Sequence, residues 1–68
     1  MQTIIHINRV LDCWQAKPEN STPLVVNRNK SDVIAQATHL ARNLSSSAVL
    51  VIHGKDGRIL EKRTIPKS

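Results

Sequence analysis

The clearest pattern in the chain is a series of apolar positions at helical spacing in residues 30–44. These positions recur at intervals of three and four and form one continuous stripe: Val33, Ile34, Ala37, Leu40, Ala41 and Leu44. Asn29 is the expected N-cap, while Asp32 in the first turn and Arg42 near the other end complement the helix dipole. The serines at 45–47 disfavour continuation because their hydroxyls compete for backbone hydrogen bonds. The pattern predicts a helix over residues 30–44.

Short segments on both sides of this helix have the β-branched composition or the alternation of strands. Before the helix, strands are predicted at residues 3–10, 13–17 and 24–26. After the helix, strands are predicted at residues 48–53 and 58–65, and a Gly-Lys-Asp-Gly hairpin turn joins them. The order β-β-β-α-β-β indicates an α+β fold in which one helix packs on a mainly antiparallel sheet.

The strand predicted at residues 48–53 is apolar on both faces, although a single helix covers only one face of a sheet. The first strand has the same feature, with apolar residues on both faces: Ile5 and Ile7 on one, Ile4 and Val10 on the other. A homodimer that packs the uncovered faces or joins edge strands is expected, and folding of loop 18–23 and the termini over the sheet is the alternative. Trp14, Leu50 and Ile52 are the candidate interface or core anchors.

Composition restricts the class of protein. The length of 68 residues, of which 40% are hydrophobic, fits one domain over residues 1–68 with a flexible tail at about 66–68. The longest apolar run, residues 48–52, is much too short to span a membrane, and the first residues do not resemble a secretory signal, so a cytoplasmic location is expected.

Cys13 is the only cysteine, which excludes an internal disulfide and a multi-cysteine zinc site. It is expected to pack as a small residue, with a redox role as the alternative.

Positive charge is concentrated in the second half of the chain. Residues 1–34 contain four basic and three acidic residues, whereas residues 35–68 contain six basic and two acidic residues. The candidate phosphate-contacting strip lies on the C-terminal hairpin and consists of Lys55, Arg58, Lys62 and Arg63, with Lys67 extending it. The alternative is a solvated edge strand whose charges protect it from aggregation, and such a strand would show the same pattern. Because the chain has one Trp, Trp14, and no Phe or Tyr, base stacking is not expected.

Two other groups of residues suggest chemistry less strongly. The turn at residues 54–57 joins two strands rather than opening a helix, so a hairpin turn with Gly57 at positive φ is expected instead of a phosphate cradle. The histidines His6, His39 and His53 fall on three elements without ligand spacing. No metal, cofactor or catalytic site is therefore expected, and His53 is expected to order the turn by hydrogen bonding.

The segment HGKDGRI at residues 53–59, together with the apolar strand before it, resembles the end of a bacterial family of short uncharacterised proteins, the domain of unknown function 2188 family. Trp14 and Lys17 match a Trp-x-x-Lys strand of that family, and Asn29 precedes a similar Ala-rich helix. The loop at residues 18–27 departs from the more compact, glycine-containing connection of the family. The resemblance implies this fold and a bacterial cytoplasmic setting, and it implies no known activity.

The residues together favour a small basic binding protein that is not an enzyme. The predicted ligand is a nucleic-acid backbone, contacted without strong sequence preference through the hairpin cations. The alternative is a homodimeric protein-interaction or accessory module with no nucleic-acid role, whose exposed sheet edge or apolar face receives a partner. No membrane contact is expected, and the sequence does not identify a protein partner.

Overall fold

The computed structural model of the protein describes residues 2–43 and 47–66. These residues form five strands and one helix, in the order β1 (Thr3–Val10), β2 (Cys13–Pro18), β3 (Val25–Asn27), α1 (Lys30–Arg42), β4 (Ala48–His53) and β5 (Ile59–Ile65). The strands make one sheet in the order β3-β2-β1-β4-β5. Neighbouring strands are antiparallel except for the central pair, β1 and β4, which is parallel. The predicted α+β fold with a mainly antiparallel sheet is confirmed.

Small residues allow the helix to approach one face of the sheet closely. The buried positions of α1 are Val33, Ala37 and Ala41, which are four residues apart and therefore share one side of the helix. They pack with alternate residues of four strands: Ile5, Ile7, Trp14, Ala16, Ala48, Leu50, Ile52 and Ile65. Ile34 packs against this core as well, whereas Leu40, also part of the predicted stripe, is exposed. No helix within the described ranges is long and apolar enough to cross a membrane.

Both ends of the helix use asparagine. Asn29 is the N-cap, as predicted, but its side-chain oxygen accepts a hydrogen bond from the Ser31 hydroxyl (3.3 Å) rather than from the helix backbone. At the other end, the backbone N–H of Asn43 donates to the carbonyl of Leu40 (3.1 Å). This tighter turn replaces the regular helical bond and ends α1 at Arg42, two residues before the predicted end.

The strand boundaries agree with the predicted ones to within one residue. β2 extends through Pro18, β3 begins at Val25 instead of one residue earlier, and β5 begins at Ile59. Leu44, at the predicted end of the helix, and residues 67–68, in the predicted tail, lie outside the described residues. These small differences reflect the fact that local patterns determine where elements form more closely than where they end.

The face of the sheet opposite the helix is called the open face below, because no other element of residues 2–43 and 47–66 packs on it. Alternation along the four longer strands places a mixed set of residues there: Ile4, His6, Asn8, Val10, Cys13, Gln15, Lys17, Val49, Val51, His53, Ile59, Lys62 and Thr64. Val51 is only 6% exposed even so, because neighbouring side chains of the face cover it. An apolar β4 therefore does not by itself require a second layer, and the homodimer stays a prediction.

Candidate functional site

The four cations of the predicted phosphate-contacting strip do not share one face of the hairpin. Lys62 pairs with Val51 and so lies on the open face, whereas Arg63 pairs with Leu50 and lies on the helix side. A register shift in the β4–β5 ladder also interrupts the alternation that would place Arg58 on the same face as Lys62. The continuous strip expected from the sequence is therefore divided between two sides of β5.

The turn between β4 and β5 has the predicted hairpin structure. Gly57 adopts a φ of 87°, as expected, and its N–H donates to the carbonyl of Gly54 (3.1 Å), while the Gly54 N–H donates to the carbonyl of Arg58 (2.8 Å). These donors are used within the turn and do not converge on an anion, which argues against a phosphate cradle. Nδ1 of His53 lies 3.0 Å from the carbonyl oxygen of Gly57, which confirms that His53 orders the turn.

Two of the four hairpin cations are paired with neighbouring carboxylates. Nε of Arg58 lies 3.3 Å from Oδ2 of Asp56, and Arg63 forms a hydrogen-bonded ion pair with Glu61. The hydrogen bond from Arg63, aided by the charges of Arg63 and Lys30 against some desolvation, lowers the pKa of Glu61, and the same contact raises the pKa of Arg63. Both pairs are solvent-exposed and add little stability. They do reduce the charge that Arg58 and Arg63 can offer to a ligand.

Lys62 belongs to a row of side chains that crosses four strands of the open face. The register places Lys17 of β2 opposite His6 of β1, His6 beside Val51 of β4, and Val51 opposite Lys62. Neighbouring strands are about 4.8 Å apart, so the two lysines are separated at their Cα atoms by roughly 14 Å. Lys17 was not among the sequence candidates for phosphate contact. The alternation of β2 shows that it points away from Trp14, but only the strand order brings it into line with Lys62.

The histidines His6 and His53 meet on the open face, although they are 47 positions apart in the chain. Nδ1 of His6 lies 3.0 Å from Nε2 of His53, with the ring centroids 5.3 Å apart and the ring planes inclined by 29°. On its other side, Nε2 of His6 lies 3.1 Å from Oε1 of Glu19. The three histidines do fall on three elements, but the parallel pairing of β1 with β4 brings two of them together. Within the described residues, no three His, Cys, Asp or Glu side chains form a group suited to a metal ion.

Two shallow depressions flank this histidine pair. His6 and Lys17 line one of them, next to the turn after β2. His6 and His53 line the second together with Arg9 and Lys55. Lys55, a hairpin candidate, therefore adjoins the open face. Arg9 pairs with Trp14 and so belongs to the helix side of β1, where its Nε donates to the carbonyl of Leu11 (3.0 Å). Asp56 is the acidic residue of the second depression, and it is held by Arg58.

The three candidate anchors lie on the helix side of the sheet. Trp14, Leu50 and Ile52 all belong to the buried core, so the core alternative holds for them within this chain. The indole of Trp14 is 8% exposed, and Nζ of Lys30 lies 4.8 Å from the ring centroid. A base cannot stack on a ring that is buried in this way. Cys13 is half-buried at the start of β2.

Comparison with known proteins gives one family match. Residues 5–65 match the model of a family described as "Uncharacterized protein conserved in bacteria (DUF2188)". The matched region contains the whole of α1 and most or all of each strand. No curated protein and no solved structure matches the chain. The comparison brings no activity, ligand or partner to this chain.

Proposed function

The chain belongs to the bacterial DUF2188 family of uncharacterized proteins, whose description states no activity, and we propose a function from the surface of the chain itself. The protein binds the phosphate backbone of nucleic acid through its open face, without strong sequence preference and without catalysis. The observation that carries the proposal is the row in which Lys17 and Lys62 flank His6 and Val51. The sequence placed the candidate phosphate-binding surface on the C-terminal hairpin alone. This row extends that surface across the open face to β2.

The charge distribution of this face supports polyanion binding. Lys17 and Lys62 project from it, and Lys55 borders it beside the histidine pair. Among the described residues, these three lysines form no ion pair with a carboxylate. The chain as a whole carries a formal charge of +5. A surface of this kind attracts a nucleic-acid backbone by releasing its condensed counterions.

The same surface favours backbone contact over recognition of bases. The chain has no Phe or Tyr, and its one Trp is buried on the opposite side of the sheet. No Phe, Tyr or Trp ring is therefore available for base stacking on the described part of the open face. With about three phosphate contacts, affinity should fall about 40-fold when salt rises from about 50 to about 200 mM, because each contact releases nearly one counterion.

The test replaces the two lysines of the row. We expect Lys17→Ala with Lys62→Ala to weaken binding to a labelled duplex of about 20 base pairs by about tenfold, and to reduce the slope of log affinity against log salt by about two. Fluorescence anisotropy at several salt concentrations measures both quantities. The matched control is Arg28→Ala with Arg42→Ala, which removes the same charge from exposed positions outside the open face. It should change affinity much less.

Two results would contradict the proposal. One is the absence of duplex binding at low ionic strength, where electrostatic contacts are strongest. The other is an equal loss of affinity in the two double variants, which would show that only net charge matters and that the open face has no special role.

As an alternative function we propose a homodimeric interaction module formed by the free edge of β5. This strand is at the edge of the sheet, and its first two residues, Ile59 and Leu60, are exposed hydrophobic residues. Antiparallel pairing of two copies about Lys62 would set Glu61 of one copy opposite Arg63 of the other, although the two Lys62 side chains would repel each other. These features support a weak dimer, favoured by salt.

Sedimentation velocity over a range of protein concentrations tests this dimer. We expect a concentration-dependent dimer that Leu60→Lys abolishes, because it places a like charge beside Lys62 at the pairing edge. Leu24→Lys is the matched control, since Leu24 is also an exposed leucine but lies in the loop before β3, at the other edge of the sheet. A monomer at every concentration, or equal loss in both variants, would eliminate the alternative.

A further inference from the structure

A line of three polar contacts runs across the open face and ends on an acceptor at each side. Oε1 of Glu19 lies 3.1 Å from Nε2 of His6, and Nδ1 of His6 lies 3.0 Å from Nε2 of His53. Nδ1 of His53 then lies 3.0 Å from the carbonyl oxygen of Gly57. All three distances are those of hydrogen bonds, so each contact needs one hydrogen between its two heavy atoms.

The number of hydrogens available decides the protonation state of this line. The Gly57 carbonyl and an ionised Glu19 carboxylate only accept, so every hydrogen must come from the two rings. A neutral imidazole carries one N–H, and two neutral rings therefore supply two hydrogens for three contacts. One contact would then have two lone pairs facing each other. One additional proton satisfies the whole line.

The arrangement also limits the line to that single additional proton. The Gly57 carbonyl requires a hydrogen on Nδ1 of His53, so Nε2 of a neutral His53 accepts from Nδ1 of His6. His6 then donates from both nitrogens, with Nε2–H directed to Glu19. If both rings were cationic, two N–H groups would oppose each other across the 3.0 Å contact between the rings. The geometry is therefore matched to one shared proton.

We propose that Glu19, His6 and His53 form a proton-binding site. The site holds one proton in addition to those carried by an ionised Glu19 carboxylate and two neutral histidine rings. Protonation changes the net charge of this site from −1 to zero, because the added proton offsets the Glu19 carboxylate. His6 lies in the row between Lys17 and Lys62, so deprotonation of the site places a negative charge beside the proposed phosphate contacts. Binding of nucleic acid is therefore stronger at lower pH, a coupling that rests on the proposed function.

Charged groups from each neighbouring element act on this site. Lys17 of β2 and Lys62 of β5 disfavour an added positive charge, as does Lys55 beside His53. Glu19 favours it at 3.1 Å from His6, and Asp56, paired with Arg58, lies beside the turn. A bound phosphate would offset the lysines and favour proton uptake. By linkage, the proton must strengthen phosphate binding by the same factor.

Nuclear magnetic resonance of the histidine ring nitrogens in the full chain tests the proton site directly. His39, exposed on α1, is the internal reference because it lies outside the line. At a pH where His39 has just become neutral, we expect His6 to retain hydrogens on both nitrogens and His53 to carry one on Nδ1. If His6 and His53 instead lose their protons together with His39, the proposal is wrong.

Glu19→Gln provides a second and structurally mild test. The amide of the new side chain can donate to Nε2 of a neutral His6, so the line no longer needs the additional proton. We expect His6 in this variant to carry a hydrogen on one nitrogen only under the conditions where the unmodified chain carries two, while the amide signal of Gly57 stays near its original position. Retention of two hydrogens on His6 in Glu19→Gln would contradict the hydrogen count.

The coupling to nucleic acid is measured separately, by anisotropy with the same duplex at about pH 6 and about pH 8, the range in which histidine ordinarily titrates. The expected loss of affinity from the lower to the higher pH is several-fold for the unmodified chain and much smaller for His6→Gln, with His39→Gln as matched control. If His6 retains its additional proton but the chain does not bind the duplex, the proposed function is wrong and the proton-binding site still stands. Equal pH dependence in all three proteins would overturn the coupling.

Discussion

Leu50→Ala is expected to leave most of the protein unfolded at about 25 °C. Leu50 lies on the helix side of β4 with 0% of its surface exposed, opposite Ile5 of the central strand β1. Truncating such a residue costs about 2–5 kcal/mol through lost burial and the cavity left behind. The core of a domain this small rarely supplies more than about 3–5 kcal/mol, so a single cavity can remove nearly all of it. Circular dichroism with urea unfolding measures the change.

Val26→Ala is the matched control for this variant, since Val26 is 60% exposed and lies at the edge strand β3. It should change the free energy of unfolding by about 0.5 kcal/mol or less. Both proteins are best compared at two concentrations, because dimer formation would make the midpoint concentration-dependent. If Leu50→Ala unfolds at the same urea concentration as the unmodified chain, the core is not centred on β4.

Trp14→Ala is expected to produce the other large loss of stability, about 3–5 kcal/mol, because it removes the largest side chain of the core. Trp14→Leu keeps an apolar side chain at this position, so it should cost less and leave the protein folded. Thermal unfolding followed by circular dichroism distinguishes the two. Because Trp14 is the only tryptophan, its fluorescence cannot be the probe in these variants.

The Leu variant also separates a core role from a base-stacking role. Leucine has no aromatic ring, so any stacking on bases would be lost while the fold remains. We expect duplex affinity in Trp14→Leu to equal that of the unmodified chain, since Trp14 lies on the helix side of the sheet. A clear fall in affinity in a folded Trp14→Leu protein would show that the ring contacts nucleic acid.

The order of helices and strands could be predicted because each depends on a local signal. The spacing of Val33, Ala37 and Ala41 identifies the packing side of α1, and Gly57 marks the turn that requires positive φ. Alternation in β2 correctly separates Trp14 from Lys17. Each of these signals is contained in a few neighbouring residues, so no knowledge of the strand order is needed.

The open-face row could not be predicted in the same way, because it depends on which strands are neighbours. The parallel pairing of β1 with β4 brings His6 beside Val51 and within reach of His53, and no local pattern encodes it. The predicted basic strip assumed regular alternation from Arg58 to Lys62. The register shift in the β4–β5 ladder breaks that alternation. Only the sheet order shows that Lys17 on β2 lies in the same row as Lys62.

The parallel pairing at the centre of the sheet also determines when this chain can fold during synthesis. Thr3 at the start of β1 pairs with Ala48 at the start of β4, so the first strand made is completed by one of the last. Until then the β1–β2 hairpin keeps one side of its ladder unpaired and exposes Ile5 and Ile7, which β4 and α1 later bury. A ribosome-bound chain that ends before β4 is therefore a species prone to wrong strand pairing, and the sheet cannot be completed until β4 has emerged.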